Sequence, residues 1–295
     1  MQHRLPDIRG EYKFDFSLKE LSFFKVGGNC DIFFVPKDEN DLSDFLMNIP
    51  KELPIICLGN ISNTLILDGG IEGCVINLIG SLNKIEFFEG CVKVGAGVIL
   101  AKFIKECTKN DVSSCENLFC IPGTIGGAII MNAGIPNFEI SDVLISIDCV
   151  DMHGNKCTFK KDELNMSYRN GNIPKDLIIT SATFKTSYKP EAELNAVIKE
   201  ILSKRIKSQP IGKATCGSTF KNPEGLKAWQ LIKDSGCGTL NVGDAIVSDV
   251  HCNFLINNGN AKASDFRKLI DTIKEKVFDK TGVLLQEEII TIGRK

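Results

Sequence analysis

Histidine is scarce in this chain. There are three in 295 residues, His3, His153 and His251, and no two are close in sequence. A Ser-His-Asp hydrolase needs a base beside its nucleophile, and no G-x-S-x-G elbow is present, so that chemistry is excluded. Cysteine is plentiful at twelve, yet no C-x-x-C pair occurs, and the nearest two, Cys115 and Cys120, have no histidine partners. A tetrahedral zinc site draws on closely paired N or S ligands, so no metal is expected. The cysteines read instead as small buried hydrophobes in a reducing compartment. No apolar run approaches the roughly 18 residues of a spanning helix, and the opening MQHRLPDIRGEYKFDF has no apolar core of the secretory kind. The net charge of −2 provides no basic field for nucleic acid or an anionic membrane.

What is present is an ordinary globular composition, 43% hydrophobic and 24% charged, in a chain long enough for two or three domains. Residues 20–110 alternate strands and helices between glycines. CDIFFV (30–35) is a strand ended by Pro36, and 37–49 shows helical spacing. PIICLG (54–59) and CVINL (74–78) are buried strands, and 84–97 is a hairpin around Glu89-Gly90 followed by a helix over 100–110. A second hairpin spans 143–159 across His153-Gly154-Asn155, and 176–186 is a further strand. A long polar helix covers 189–210, with a domain boundary near it. Beyond it the pattern predicts a helix over 225–236, a strand over 245–257, a helix over 263–282 started by Ser264-Asp265, and a strand over 283–293.

Two glycine-bearing loops are candidate anion cradles. IPGTIGGAIIMNAG (121–134) lets backbone N–H groups approach a phosphate closely, and it equally suits a tight structural turn. No Gly-Lys-Ser/Thr follows, so it is not a nucleotide-hydrolysing P-loop. LGNISNTLILDGG (58–70) follows a strand and offers polar donors at Asn60, Ser62, Asn63 and Thr64. Two such loops suit a bulky dinucleotide. VKVGAGVIL (92–100) lacks the third glycine of the dinucleotide fingerprint and reads as a plain turn. In MSYRNGN (166–172), Arg169 beside Tyr168 is either a surface contact or a carboxylate clamp. Glu287 and Glu288 sit in a strand and so face opposite ways, one toward solvent and the other available to a cleft. In CGSTFKNP (216–223), Cys216 lacks a partner that would make it a thiolate. Without an activating base, a hydroxyl here, Ser218 or Thr219, can serve by donating one proton from a fixed position. Thr219 points the other way if the segment is extended.

These segments, with FKVGGNCDIFFVP (24–36), residues 228–265 and EEIITIG, occur in the order of the UDP-N-acetylenolpyruvoylglucosamine reductase (MurB) family. The sequence resembles the shorter variant, which lacks an inserted tyrosine-bearing loop. The resemblance implies an α+β fold: a FAD-binding PCMH-type (vanillyl-alcohol-oxidase-like) part of two α+β subdomains, 1–80 and 81–195. It also implies an α+β substrate-binding domain, 196–282, and a C-terminal strand, 283–295, returning to the flavin site.

The implied activity is NADPH-dependent reduction of UDP-N-acetylglucosamine enolpyruvate to UDP-N-acetylmuramate, with FAD as cofactor. The catalytic positions match Ser218 as proton donor, with Arg169 and Glu288 stabilising the developing charge. Gly59, Asn60, Ile61, Ser62, Asn63, Pro122, Gly123, Thr124, Gly126, Gly127, Ala128 and Asn132 would hold the cofactor, and Tyr168, Lys221 and Asn222 the substrate. A cytoplasmic monomer acting on a small molecule, with no nucleic acid and no membrane insertion, is expected. A related FAD-dependent oxidase of another substrate and a non-catalytic paralogue share part of the pattern.

The chain departs from the family pattern at three places. Asn60 and Ile61 replace glycines, Gly171 replaces a serine two residues after the arginine, and Phe24 replaces a small residue such as threonine.

Overall fold

The computed structural model describes residues 5–295. The chain forms two compact units that interleave along the sequence. The first holds the residues up to Phe14, Ile32–Asn60 and Gly73–Ser203. The second holds Asp15–Asp31, Ile61–Glu72 and Lys204–Lys295. The three-part division suggested by the family follows chain order, whereas membership in these units does not.

The first unit is built on a five-stranded antiparallel sheet. Its order is Lys156–Lys160, Leu144–Asp151, Leu177–Lys185, Cys91–Gly95, Ile85–Phe88. Both expected hairpins are in it. Their turns use Gly90 and Gly154 at φ 73° and 81°, and the Asp151 carboxylate accepts the N–H groups of His153 and Asn155. Strand Ile55–Cys57 runs parallel to Ile71–Ile76, with Ile55 opposite Cys74. Helices α1 (Glu39–Asn48), α2 (Leu100–Lys109) and the short α3 (Ile125–Ile130) belong here, as does most of α4 (Glu191–Ser208). Leu194 is the only buried residue of α4, which fits its polar sequence. The core joins Phe34, Phe45, Val92, Val94, Phe103, Ile147, Val150 and Phe184. In VKVGAG, a Cβ at Gly95 or Gly97 would run into the carbonyls of Leu82 and Leu78. Those glycines serve packing, in keeping with the missing third glycine.

The second unit has its own core around Phe24, Leu65, Phe220, Phe266, Leu269, Ile270, Ile273 and Val277. Helix α6 (Ala263–Thr281) packs on a small antiparallel sheet of Asn241–Val242, Ala245–Val247 and Leu255–Asn257, and helix α5 (Ala228–Asp234) packs on α6. Buried positions 266, 269, 270, 273 and 277 form one stripe of α6. Ile290–Ile292 pairs in parallel with Thr64–Ile66. Phe24, unusual for the family, is a core residue whose ring lies 4.2 Å from that of Phe266.

Three sequence expectations are corrected in this unit. The strand over 245–257 is two strands, because the Ser248 hydroxyl accepts the N–H groups of Val250 and His251 and turns the chain. Only Ile290–Ile292 of 283–293 is a strand. Helix α6 starts one residue before Ser264-Asp265. Its first N–H groups, of Ala263 and Ser264, donate to the carboxylate of Asp68 at 2.8 and 2.9 Å. The Asp265 carboxylate accepts Lys262 N–H at 2.9 Å, so the expected Ser264-Asp265 signal does mark this end, while the cap from Asp68, 195 residues distant, leaves no local signature.

Candidate functional site

In the first unit the two glycine loops meet. A Cβ on Gly59 would lie 2.5 Å from Thr124 Oγ1, so only glycine permits this approach. Thr124 caps α3, its hydroxyl accepting Gly127 N–H at 3.2 Å. The N–H groups of Ile125, Gly126 and Ala128 are already bonded to the carbonyls of Val98, Ala96 and Thr124. Gly126, Gly127 and Ala128 therefore contribute to a ligand through the close surface their small size leaves. The N–H groups of Gly59, Asn60, Gly123 and Thr124, by contrast, have no hydrogen-bond partner among the described residues. Thr124 is 2% exposed, and a buried N–H group left unpaired is costly. A short run of such groups from two abutting loops is the donor set that a diphosphate requires. Pro122 and Gly123 (φ 134°) lead into this turn.

Past Asn60 the chain passes into the second unit. Ile61 is buried there on a left-handed backbone, φ 47°, which is strained for a β-branched residue. Its carbonyl accepts Phe23 N–H, and its side chain is buried. Asn63 donates its side-chain amide to the Glu288 carbonyl at 3.0 Å. Ser62 is half-buried.

Arg169, in the first unit, occupies the tip of a two-residue turn closed by Ser167 and Asn170, whose N–H and C=O groups exchange two 2.9 Å bonds. Its φ is 54°. The guanidinium lies 4.8 Å from the Tyr168 ring centre, donates to the Gly134 carbonyl at 2.9 Å and has a Glu139 carboxylate oxygen at 3.9 Å. Asn132 is fully buried, and its side chain bonds Glu139, the Ser167 carbonyl and the Ser141 N–H. Its amide thus braces the arginine turn. Gly171, the family's serine position, donates to the Ile130 carbonyl, and a Cβ there would overlap the Ile129 carbonyl oxygen. The glycine lets the arginine turn close onto the last residues of α3, whose first residues adjoin the phosphate-type loop. Sequence reasoning missed Glu139. The signal available was an acidic residue seven positions after Asn132.

Ser218 and Glu288 belong to the second unit. Gly217 takes φ 79°, Ser218 is partly exposed, and Thr219 is fully buried, so the two hydroxyls lie on opposite sides as an extended segment requires. Cys216 is buried, with Sγ 3.6 Å from the Thr64 carbonyl, and burial pushes its thiol up to about 12. A thiol that hard to ionise is no nucleophile. The Glu288 N–H donates to the Thr219 carbonyl at 2.8 Å, which sets Glu288 one peptide from Ser218.

Glu287 meets cations and not open solvent. Its carboxylate takes Arg267 at 2.7 and 3.0 Å and Lys274 at 2.9 Å. Burial pushes Glu287 up, but these cationic donors outweigh burial and hold it below the ordinary carboxylate value. Lys221 is half-buried with its N–H on the Gln286 carbonyl, and Asn222 accepts Ala228 N–H at the start of α5. Among the described residues no helix is long and apolar enough to cross a membrane.

A family model for the C-terminal domain of UDP-N-acetylenolpyruvoylglucosamine reductase matches residues 209–292, and one for an FAD binding domain matches residues 30–159. The chain is 45% identical over 290 residues to the UDP-N-acetylenolpyruvoylglucosamine reductase of Rickettsia felis, covering 98% of both chains. It is likewise 45% identical to that of Rickettsia bellii, covering 98% of this chain and 96% of the other. The crystal structure of UDP-N-acetylenolpyruvylglucosamine reductase from Thermus caldophilus matches with a TM-score of 0.83. It is 31% identical and covers 97% of this chain and 99% of that one. Identity at this level over whole chains, with a solved structure that matches end to end, leaves one conclusion: the chain belongs to the UDP-N-acetylenolpyruvoylglucosamine reductase family.

Proposed function

We infer that this protein is a UDP-N-acetylmuramate dehydrogenase, a flavin-dependent oxidoreductase of peptidoglycan precursor synthesis. It reduces UDP-N-acetylglucosamine enolpyruvate to UDP-N-acetylmuramate with FAD and NADPH. The observation that carries this reading is the full-length identity with reductases of that name. The fold is α+β, with an FAD-binding part of the PCMH type. The unpaired N–H groups at Gly59, Asn60, Gly123 and Thr124 fit the diphosphate of FAD. Ile61, Ser62, Asn63, Pro122, Gly126, Gly127, Ala128 and Asn132 complete that lining in our assignment. Held there, FAD would supply the hydride chemistry between NADPH and the enolpyruvyl group.

The residues supply charge and one proton. We assign Ser218 as the group that gives its hydroxyl proton to the carbon next to the carboxylate. Arg169 and Glu288 stabilise the charge that develops there, where fixed dipoles in a dry site act most strongly. Tyr168, Lys221 and Asn222 are assigned to the substrate. The side-chain oxygen of Asn222 already accepts from Ala228, so its amide N–H groups are the part left for recognition. We assign residues 196–282 to binding the sugar nucleotide and 283–295 to bringing Glu288 to the reacting carbon. A cytoplasmic monomer completes the proposal. The twelve cysteines, all unbridged, favour a reducing compartment.

The test is optical. The purified protein should be yellow, with flavin released by acid. NADPH should bleach it without oxygen, and the enolpyruvyl substrate should restore the colour within turnover time. A protein that cannot be loaded with FAD, or that NADPH bleaches but this substrate leaves colourless, overturns the reading.

A further inference from the structure

The segment that carries Ser218 has almost no strand ladder. It meets its neighbours at single bridges, Ser218 opposite Phe254 and Phe220 opposite Glu287. Next to the first bridge stands Asn253, which no motif reading singled out. Its side chain replaces a missing strand. Oδ1 accepts Phe220 N–H at 3.0 Å, and Nδ2 donates to the Phe220 carbonyl at 2.8 Å. Its own carbonyl accepts Thr219 N–H at 2.8 Å. On the other side of the same segment, the Thr219 carbonyl accepts Glu288 N–H and the Gln286 carbonyl accepts Lys221 N–H, both at 2.8 Å. Asn253 thus grips three successive peptides from one side; on the other side the middle one is bonded to Glu288 and the next to Gln286.

Asn253 is 4% exposed, Phe220 1% and Thr219 0%, so water is poorly placed to substitute for these bonds. Just before Ser218, Gly217 sits at φ 79° with nothing within 4 Å of where a Cβ would be, so no neighbouring atom packs against that side of the turn.

We propose that Asn253 is the positioning residue that fixes Ser218 and Glu288 relative to each other for the protonation step. The inference rests on the assignment of Ser218 as proton donor. Removing the amide leaves the N–H and C=O of Phe220 unpaired in a buried place, and the segment relaxes about Gly217. A displacement of about 1 Å at a reacting group costs on the order of a hundredfold in rate. The loss is confined to the half-reaction that uses Ser218. The FAD-binding N–H groups of Gly59, Asn60, Gly123 and Thr124 make no bond to Asn253. An aspartate at 253 sharpens the case. When protonated it has the same donor and acceptor as the amide, and when ionised it loses the donor and sets a charge against the Phe220 carbonyl.

The experiment compares FAD-loaded, full-length wild type, Asn253→Ala and Asn253→Asp in anaerobic stopped flow, following bleaching by NADPH and then recolouring by the enolpyruvyl substrate. Both variants should keep flavin stoichiometry and bleaching within about twofold. The Ala variant should recolour on the order of a hundredfold more slowly at saturating substrate, a kcat effect with little change in KM. The Asp variant should regain recolouring rate as pH falls, with a slope the wild type lacks. Recolouring of the Ala variant at the wild-type rate overturns the inference, as does equal loss in both half-reactions. If the Ala variant does not fold, an Asp variant without the acid recovery overturns it alone. A wild type that bleaches but never recolours overturns the function reading instead, and the inference falls with it.

Discussion

Arg169 and Ser218 are both proposed to act on the same carboxylate-bearing carbon, and the structure secures them by different means. Arg169 lies on a left-handed backbone with its guanidinium among an aromatic ring, a carbonyl and a carboxylate. Ser218 lies on an extended segment, and the peptides that follow it are tied by main-chain bonds and by the amide of Asn253. The first arrangement depends on the identity of neighbouring side chains. The second depends on backbone register and on the one amide of Asn253, so it tolerates changes in its other neighbours' side chains but not a shift of the strip. The charge-bearing group is held by charge, and the proton donor is held by geometry.

The comparison is broken most severely by Ser218→Ala. Loss of a positioned proton donor should slow recolouring by about 10²–10⁴-fold while bleaching by NADPH survives, as read by anaerobic stopped flow. If both half-reactions keep their rates, the donor lies elsewhere. Gly171→Ser, which restores the residue common in the family, should harm rather than help. Its Cβ would overlap the Ile129 carbonyl oxygen, so we expect about 2 kcal/mol of destabilisation by urea titration, with activity falling as the Arg169 turn moves.

Glu139→Gln tests whether charge holds the guanidinium. A partly buried pair at 3.9 Å is worth about 1 kcal/mol, so kcat should fall about three- to tenfold with flavin content intact. Glu287→Gln removes the anion facing Arg267 and Lys274 and should cost about 1–2 kcal/mol of stability at neutral pH. Because the folded pKa of Glu287 is depressed, its contribution is fully present above the ordinary carboxylate range and is lost as pH falls through the folded value. The variant's stability should therefore fall less steeply on acidification than the wild type's. The smallest effect is expected from Thr219→Val. The Thr219 hydroxyl is buried without a partner among the described residues, so its removal should raise stability by up to about 1 kcal/mol in the same titration.

Much of the candidate site could be nominated from the sequence because its residue types stand close together in the chain. The glycine loops, Tyr168-Arg169 and the CGSTFKNP segment each carry their residue types within a few positions, and both hairpins announce their turns. Asn253, Glu139 and Asp68 were not legible. Each acts on a partner that sequence distance hides: Phe220 lies 33 residues from Asn253, and Ala263 lies 195 from Asp68. The strand over 245–257 was misread because an apolar run does not reveal that Ser248 will turn it.

By itself, then, the sequence determined the family and the order of its motifs, and through that resemblance it nominated Arg169, Glu288 and Ser218 for the proposed charge and proton roles. Motifs written within a few positions and kept in one order are enough for that, since they survive as a pattern wherever the chain folds. Tertiary structure alone decided which N–H groups of the glycine loops remain unpaired and why position 171 must be glycine. It also decided which of two adjacent glutamates is spent on an ion-pair network. Each of those outcomes depends on which backbone atoms lie within about 3 Å of one another across long stretches of chain, and hydrogen bonding at that range has no signature in residue order.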